Sequence, residues 1–205
     1  DRSELRRLSD LLVHREEGVT DVPPSGVEAA LSLVVYYADL IADRRAHPGT
    51  DLVSALCAAE IEGDRLTDDE ITAFLFLMVV AGNDTTTQLL AHAWYWGWHN
   101  PDELAKAFAD EARIADWVEE TLRYDTSSQL LARVTTCDVE LHGITIPARD
   151  RVVLLAGSAN RDPRAFADPD VFDLDGNRDA GIASFGVGRH FCMGASLARL
   201  ETRVV

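Results

Sequence analysis

The chain has 205 residues, 47% of them hydrophobic, and a net charge of −16 from 35 Asp and Glu against 19 Lys and Arg. So acidic a composition disfavours non-specific nucleic-acid binding, which needs clustered Lys and Arg on phosphates. Three widely spaced cysteines, Cys57, Cys137 and Cys192, make neither a Cys-x-x-Cys pair nor a disulfide framework, which argues against zinc and suits a reducing, cytoplasmic setting.

The first half reads as helical. Leucines at helical spacing run through the charged stretch Glu4 to Glu17, and Pro23-Pro24-Ser25-Gly26 supplies a turn. A second apolar-rich helix over about 27–46 stops at His47-Pro48-Gly49, and Asp51 opens a short one over about 52–60. Thr67 and Glu70 form a capping box for the longest helix, expected over 67–98. Its run Ala73 to Ala81 is apolar on every face, the pattern of a helix buried inside a domain, yet too short to span a bilayer. With a polar N-terminal string lacking an apolar signal region, the expectation is no membrane association. Two shorter helices are expected over 102–109 and 114–124.

Beyond Tyr124 the texture changes. Arg133 to Leu141, Ile144 to Ile146 and Val152 to Leu155 read as short strands, with turns at His142-Gly143 and Ala148-Arg149-Asp150. An irregular segment rich in Asp, Gly and Pro follows from Arg161 to Ala183, and a last helix begins near Gly194. The expected organisation is therefore one domain in four stretches: helical over 1–124, strand-rich over 125–160, irregular with a cysteine loop over 161–194, and the start of a helix over 195–205. The fold class is mainly α with small β-sheets.

The most informative string is Phe185-Gly186-Val187-Gly188-Arg189-His190-Phe191-Cys192-Met193-Gly194. It surrounds a single thiol with glycines, aromatics and two potential cations. Thiolates are metal ligands, and cysteine thiolate is one of the axial ligands offered to haem iron. A buried structural cysteine in a glycine-rich loop is the plain alternative.

Around that loop the chain resembles a bacterial cytochrome P450, a haem-thiolate monooxygenase, over nearly all of its length. The resemblance implies that the N-terminal half of a typical member, and the strands after its last helix, lie outside these 205 residues. It implies haem b, iron protoporphyrin IX, as cofactor, with Cys192 as the iron's axial ligand. Phe185 would cover the sulfur side of the porphyrin, Gly186 and Gly188 would aim N–H groups at sulfur, and Gly194 would let the last helix approach the ring.

Further motifs carry the same resemblance. Ala81-Gly82-Asn83-Asp84-Thr85-Thr86 places a glycine, an acid and an alcohol inside the long apolar helix. A structural account has Thr85 bonding back to a carbonyl one turn earlier and Asp84 meeting an arginine. The family account gives Gly82 the role of leaving room beside iron, and Asp84 and Thr85 that of delivering protons to bound dioxygen.

In Glu120-Thr121-Leu122-Arg123, either Glu119 or Glu120 has the spacing to pair with Arg123. The family motif Glu-x-x-Arg selects Glu120 and gives the pair a structural role. Members often add an arginine after Phe-Asp-x-x, whereas here Phe172-Asp173 is followed by Arg178, two positions late. Arg133 and His190 would hold the haem propionates, or else serve as surface cations. Val79, Val80, Asn83 and Gln129, Leu130, Leu131 would line the substrate pocket.

The function implied is insertion of one oxygen atom from O₂ into a small apolar organic substrate. Electrons would come from NAD(P)H through a separate ferredoxin or flavodoxin-type donor, with Arg189, Arg199 and Arg203 as a docking spot. The alternatives are a peroxide-using haem-thiolate enzyme and a non-catalytic fragment.

Overall fold

A computed structural model describes residues 2–15, 17–19, 21–176 and 181–205. They form two compact units, residues 1–84 and 85–205. The fold is mainly helical with three two-stranded antiparallel sheets.

The first unit is built from α1 (Arg2–Val13), α2 (Pro24–Ala46), α3 (Leu52–Ala58), a hairpin of β1 (Glu60–Ile61) and β2 (Asp64–Arg65), and the beginning of α4 (Asp68–His99). Pro24 starts α2 because its missing N–H is one that a first turn leaves unpaired anyway. Asp51 caps α3 by accepting the Ser54 amide at 2.9 Å. Leu8, Ala29, Leu33, Tyr37, Ile41, Val53, Ile71 and Leu75 make one buried cluster. The hairpin escapes sequence reasoning because two-residue strands have no alternation to read; its turn places Glu62 and Gly63 at φ 54° and 91°.

The capping box forms as expected. Glu70 accepts the Thr67 amide at 2.8 Å, and the Glu70 amide reaches Thr67 Oγ1 at 3.3 Å. That backbone hydrogen bond, ahead of the Thr67 hydroxyl, holds the Glu70 carboxyl below its usual range. The apolar run that follows is buried on one face only. Ile71 and Leu75 enter the cluster, while Leu77 and Met78 are exposed. Hydrophobicity on every side does not bury a helix; neighbours do, and the described residues of this unit supply them on one side. Both α2 and α4 are long and apolar enough to cross a bilayer, but α2 buries Leu33, Tyr37 and Ile41 in this cluster, as a core helix does.

The second unit holds the rest of α4, then α5 (Pro101–Ala109), α6 (Arg113–Tyr124), β3 (Leu131–Val134), β4 (Val139–Leu141), β5 (Ile144–Ile146), β6 (Arg151–Leu154), α7 (Ala156–Ala159) and α8 (Ala195–Val204). β3 pairs with β6 in the register Leu131 to Leu154, and β4 with β5. The expected continuous stretch from Arg133 to Leu141 is interrupted. Local bonds divert the chain there: Thr135 Oγ1 donates to the Pro147 carbonyl at 2.6 Å, and Asp138 accepts the Ala148 amide at 2.8 Å. Of the three tryptophans of α4, Trp96 packs beside the cluster of Ala93, Ala107, Trp117, Phe172 and Leu174, whereas Trp94 and Trp98 are exposed. Trp96 Nε1 donates to Asp125 and His92 bonds the Asp125 carbonyl, so both residues fix the turn after α6.

The organising contact of this unit is Glu120 with Arg123, one turn apart on α6 and both buried. Arg123 Nε and Nη2 donate to the two Glu120 oxygens at 2.8 and 2.7 Å. Its remaining donors reach the carbonyls of Asn160, Pro169 and Val171. Glu120 in turn accepts the Asp173 amide at 2.8 Å. Asn160, fully buried, then accepts the Ala183 amide and donates to Ser184 Oγ. This series of bonds ties α6 to the irregular segment and to the residues entering the cysteine loop. Arg178 lies outside the described residues. Glu119 turns the other way and pairs with Arg199 of α8.

A buried charge stripped of its partner costs about 3–5 kcal/mol, while an exposed pair is worth about 1 kcal/mol or less. Arg123→Met is therefore expected to cost about 3–5 kcal/mol in urea unfolding. Glu119→Gln should stay within about 1 kcal/mol of the parent; equal losses would contradict the difference in burial.

Candidate functional site

The cysteine loop begins as the chain leaves Ser184, whose hydroxyl donates to the Leu122 carbonyl at 2.7 Å. Phe185 packs against the cluster of Leu89, Val118 and Leu122. Two left-handed glycines follow, Gly186 at φ 69° and Gly188 at φ 70°, where a Cβ would be strained. They bend the chain through a one-turn helix at Gly188–His190. The loop then closes on itself: the Cys192 amide donates to the Phe185 carbonyl at 2.9 Å, and the Phe191 amide to Gly188 at 3.0 Å. Three residues after the cysteine, α8 begins; the Ala195 amide donates to the Cys192 carbonyl at 3.3 Å and the Ala198 amide to Gly194 at 2.8 Å. A Cβ on Gly194 would lie 3.8 Å from Cys192 Sγ.

Cys192 carries a free, exposed thiol. Its neighbours Val187, Phe191 and Met193 are exposed as well, Met193 by 70%. A free, exposed thiol at a glycine-built turn differs from a structural core cysteine, which is buried. The donor set is a single soft sulfur, which suits a transition metal already held by other ligands and does not suit zinc, whose structural sites need four.

The other candidates fall as follows. Gly82, Asn83, Asp84 and Thr85 lie in the helical α4, which runs unbroken through them. Gly82 and Asp84 are exposed, and Thr85 is half-buried. A Cβ on Gly82 would meet nothing within 4 Å. The Thr85 carbonyl accepts a 2.9 Å bond from Ser127 Oγ, outside the helical ladder. Val79 packs against the core of the first unit, its carbonyl accepting from Ser9, and Val80 is half-buried. Gln129 folds back on its own turn, donating to Thr126 and Asp125. Leu130 is exposed and Leu131 half-buried at the start of β3. Arg133 and His190 are both exposed; the Arg133 guanidinium donates to the Ala132 carbonyl at 2.8 Å.

Sequence reasoning did not find the Glu119–Arg199 contact or the Asn160 hub. Glu119 and Arg199 are 80 residues apart, so no local spacing betrays them. Asn160 sits in Ala159-Asn160-Arg161-Asp162-Pro163, where an Asn reads as ordinary turn chemistry. Among the described residues, Glu103, Asp173 and Asp175 are close enough to share a cation. That charge is already answered: Lys106 reaches Glu103 and Asp175, and Arg113 reaches Asp175 at 2.7 Å. Hydrogen bonds from Arg113 and then Lys106 hold the Asp175 carboxyl down at about 2.

Comparison with known proteins agrees with this architecture. Residues 36–205 match the family profile described as Cytochrome P450. Cytochrome P450 123 of Mycobacterium bovis is 57% identical over 204 residues, covering 100% of this chain and 51% of that protein. Substrate-free CYP109E1 of Bacillus megaterium superposes with a TM-score of 0.93 at 33% identity, covering 100% of this chain and 54% of the other. P450BioI, solved with an acyl carrier protein bearing hexadec-9Z-enoic acid, gives a TM-score of 0.91 at 34% identity, covering 100% and 53%. The chain thus spans about half the length of the relatives it matches. With its profile, relatives and fold in agreement, the chain belongs to the cytochrome P450 family.

Proposed function

We propose that the full-length protein is a haem-thiolate monooxygenase that inserts one oxygen atom from O₂ into a small apolar organic substrate. The observation that carries this reading is the free, exposed Cys192 thiol on a loop closed by its own amide on Phe185. Haem, when bound, would supply dioxygen binding and activation, with Cys192 as the residue that would hold its iron.

The chain's own residues do the rest. Cys192 Sγ ligates, and the turn at Gly186 and Gly188 fixes its direction. Phe185, Val187, Phe191 and Met193 make the loop that carries the sulfur apolar, and the polarity of its surroundings tunes a metal site. Gly194, with no side chain beside Sγ, leaves room for the macrocycle. Arg133 and His190 hold the propionates, the guanidinium being suited to bidentate carboxylate binding. Gly82 keeps its stretch of α4 open. The Asp84 carboxylate would take up a proton from solvent, and the neighbouring Thr85 hydroxyl would hold and relay it. Substrate-contacting roles are assigned to Val79, Val80 and Asn83 within the first unit and to Gln129, Leu130 and Leu131 within the second. P450BioI, to which the chain is similar, was solved in complex with an acyl carrier protein bearing hexadec-9Z-enoic acid, a largely apolar group.

Electrons come from NAD(P)H through a ferredoxin or flavodoxin-type donor that approaches the basic residues Arg189, Arg199 and Arg203. A peroxide-driven reaction is the second reading; the acid–alcohol pair Asp84-Thr85 argues against it, because such a reaction needs no protonation of O₂.

The reduced, haem-loaded full-length protein treated with carbon monoxide should show the red-shifted Soret band of a thiolate ligand. Cys192→Ala should abolish it, and an unchanged band would exclude Cys192 as ligand. Thr85→Val and Asp84→Asn should retain that band yet lower donor-supported turnover by roughly 10²-fold, the usual scale for a lost proton-transfer group. Turnover unaffected by both variants, or supported by peroxide alone, would overturn the assignment of these two residues.

A further inference from the structure

Arg199 stands one turn into α8, and its guanidinium joins three things. Through Nε and Nη2 it donates to both carboxylate oxygens of Glu119 on α6, the Nη2 bond at 3.0 Å. Its central carbon lies 4.5 Å from the centroid of the Phe185 ring, a cation–π contact. The Phe185 carbonyl, in turn, accepts the Cys192 amide at 2.9 Å. One cation therefore binds α6, α8 and the start of the cysteine loop, and the residue it stacks on is hydrogen-bonded to the ligand's own backbone.

We propose that Arg199 is a positioning residue whose charge, balanced by Glu119, sets the reduction potential of the bound haem through the Phe185–Cys192 turn. This deepens the haem-thiolate reading and rests on it. The arrangement differs from the buried Glu120–Arg123 pair, which holds the fold together. The Glu119–Arg199 pair is only half-buried, and its two members differ in what they touch: Arg199 stacks on Phe185, while Glu119 meets the guanidinium from α6. The Arg199 guanidinium is held above its ordinary pKa first by the hydrogen bonds it donates to Glu119. The positive charge stands over the ring of the residue whose carbonyl accepts the Cys192 amide. Removing it should favour the ferric state, and removing the opposing carboxylate should favour the ferrous state, since nearby charge is among the levers a protein has on a haem.

The test is spectroelectrochemical titration of the haem-loaded full-length protein as wild type, Arg199→Gln, Glu119→Gln, the double variant and Arg199→Lys. Each single neutralisation breaks the same ion pair, so a purely structural role would move both potentials the same way. The charge role predicts opposite directions. Arg199→Gln lowers and Glu119→Gln raises the ferric–ferrous equilibrium constant, each by roughly threefold to tenfold for a partly screened charge. The double variant should return towards wild type, and Arg199→Lys should stay near it. Should Arg199→Gln lose its haem, Glu119→Gln against Arg199→Lys carries the comparison, and equal shifts in those two overturn the proposal. Shifts of one sign, or none, in a protein that binds haem normally would sink this proposal alone. A wild-type protein with no Soret band would sink the haem reading beneath it.

Discussion

A guanidinium 2% exposed, Arg123, is the constraint on which the second unit depends. A cation in that position is tolerable only if every donor is answered, because an unpaired buried charge costs several kcal/mol. Glu120 answers two directions, and three backbone carbonyls answer the others. Those carbonyls belong to residues 160–171, a stretch with little regular structure of its own. The bonds therefore work in both directions: the segment solvates the charge, and the charge fixes the segment. Asn160 extends the same logic to Ala183 and Ser184, at the threshold of the cysteine loop. The bonds from Arg123 and Asn160 thus reach from α6 to Ser184, the residue before the cysteine loop.

Much of the helical framework was legible from the sequence. Proline at the start of α2 and the Thr67–Glu70 capping box mark ends by local hydrogen bonding, and local rules read such ends well. Leu89, Val118 and Leu122 meet across two helices, and nothing local announces that meeting. Of the long apolar helix, Ile71 and Leu75 join the core of the first unit, while Leu77 and Met78 are exposed in a chain that spans about half the length of its relatives. The short hairpin at Glu60–Arg65 and the interruption between β3 and β4 were missed because each depends on a turn or a side-chain bond to a residue several positions away.

At the candidate site the division is similar. Gly186 and Gly188 were readable as turn residues, and their positive φ angles are the physical reason for glycine there. The choice between Glu119 and Glu120 was not readable from spacing, since both reach Arg123. The structure separates them by direction: one faces the interior and the other faces α8. Two adjacent glutamates thus belong to two ion pairs of different kinds, one buried and satisfied five ways, the other half-buried and stacked on the ring that begins the loop.

The account as a whole rests on a bond between the Cys192 sulfur and iron. Iron K-edge X-ray absorption on the ferric, haem-loaded full-length protein measures it directly. The expected result is one sulfur scatterer bonded to iron that disappears in Cys192→His while the porphyrin nitrogens remain. A spectrum with only nitrogen and oxygen around iron in the unmodified protein, or a sulfur that persists without Cys192, would contradict it.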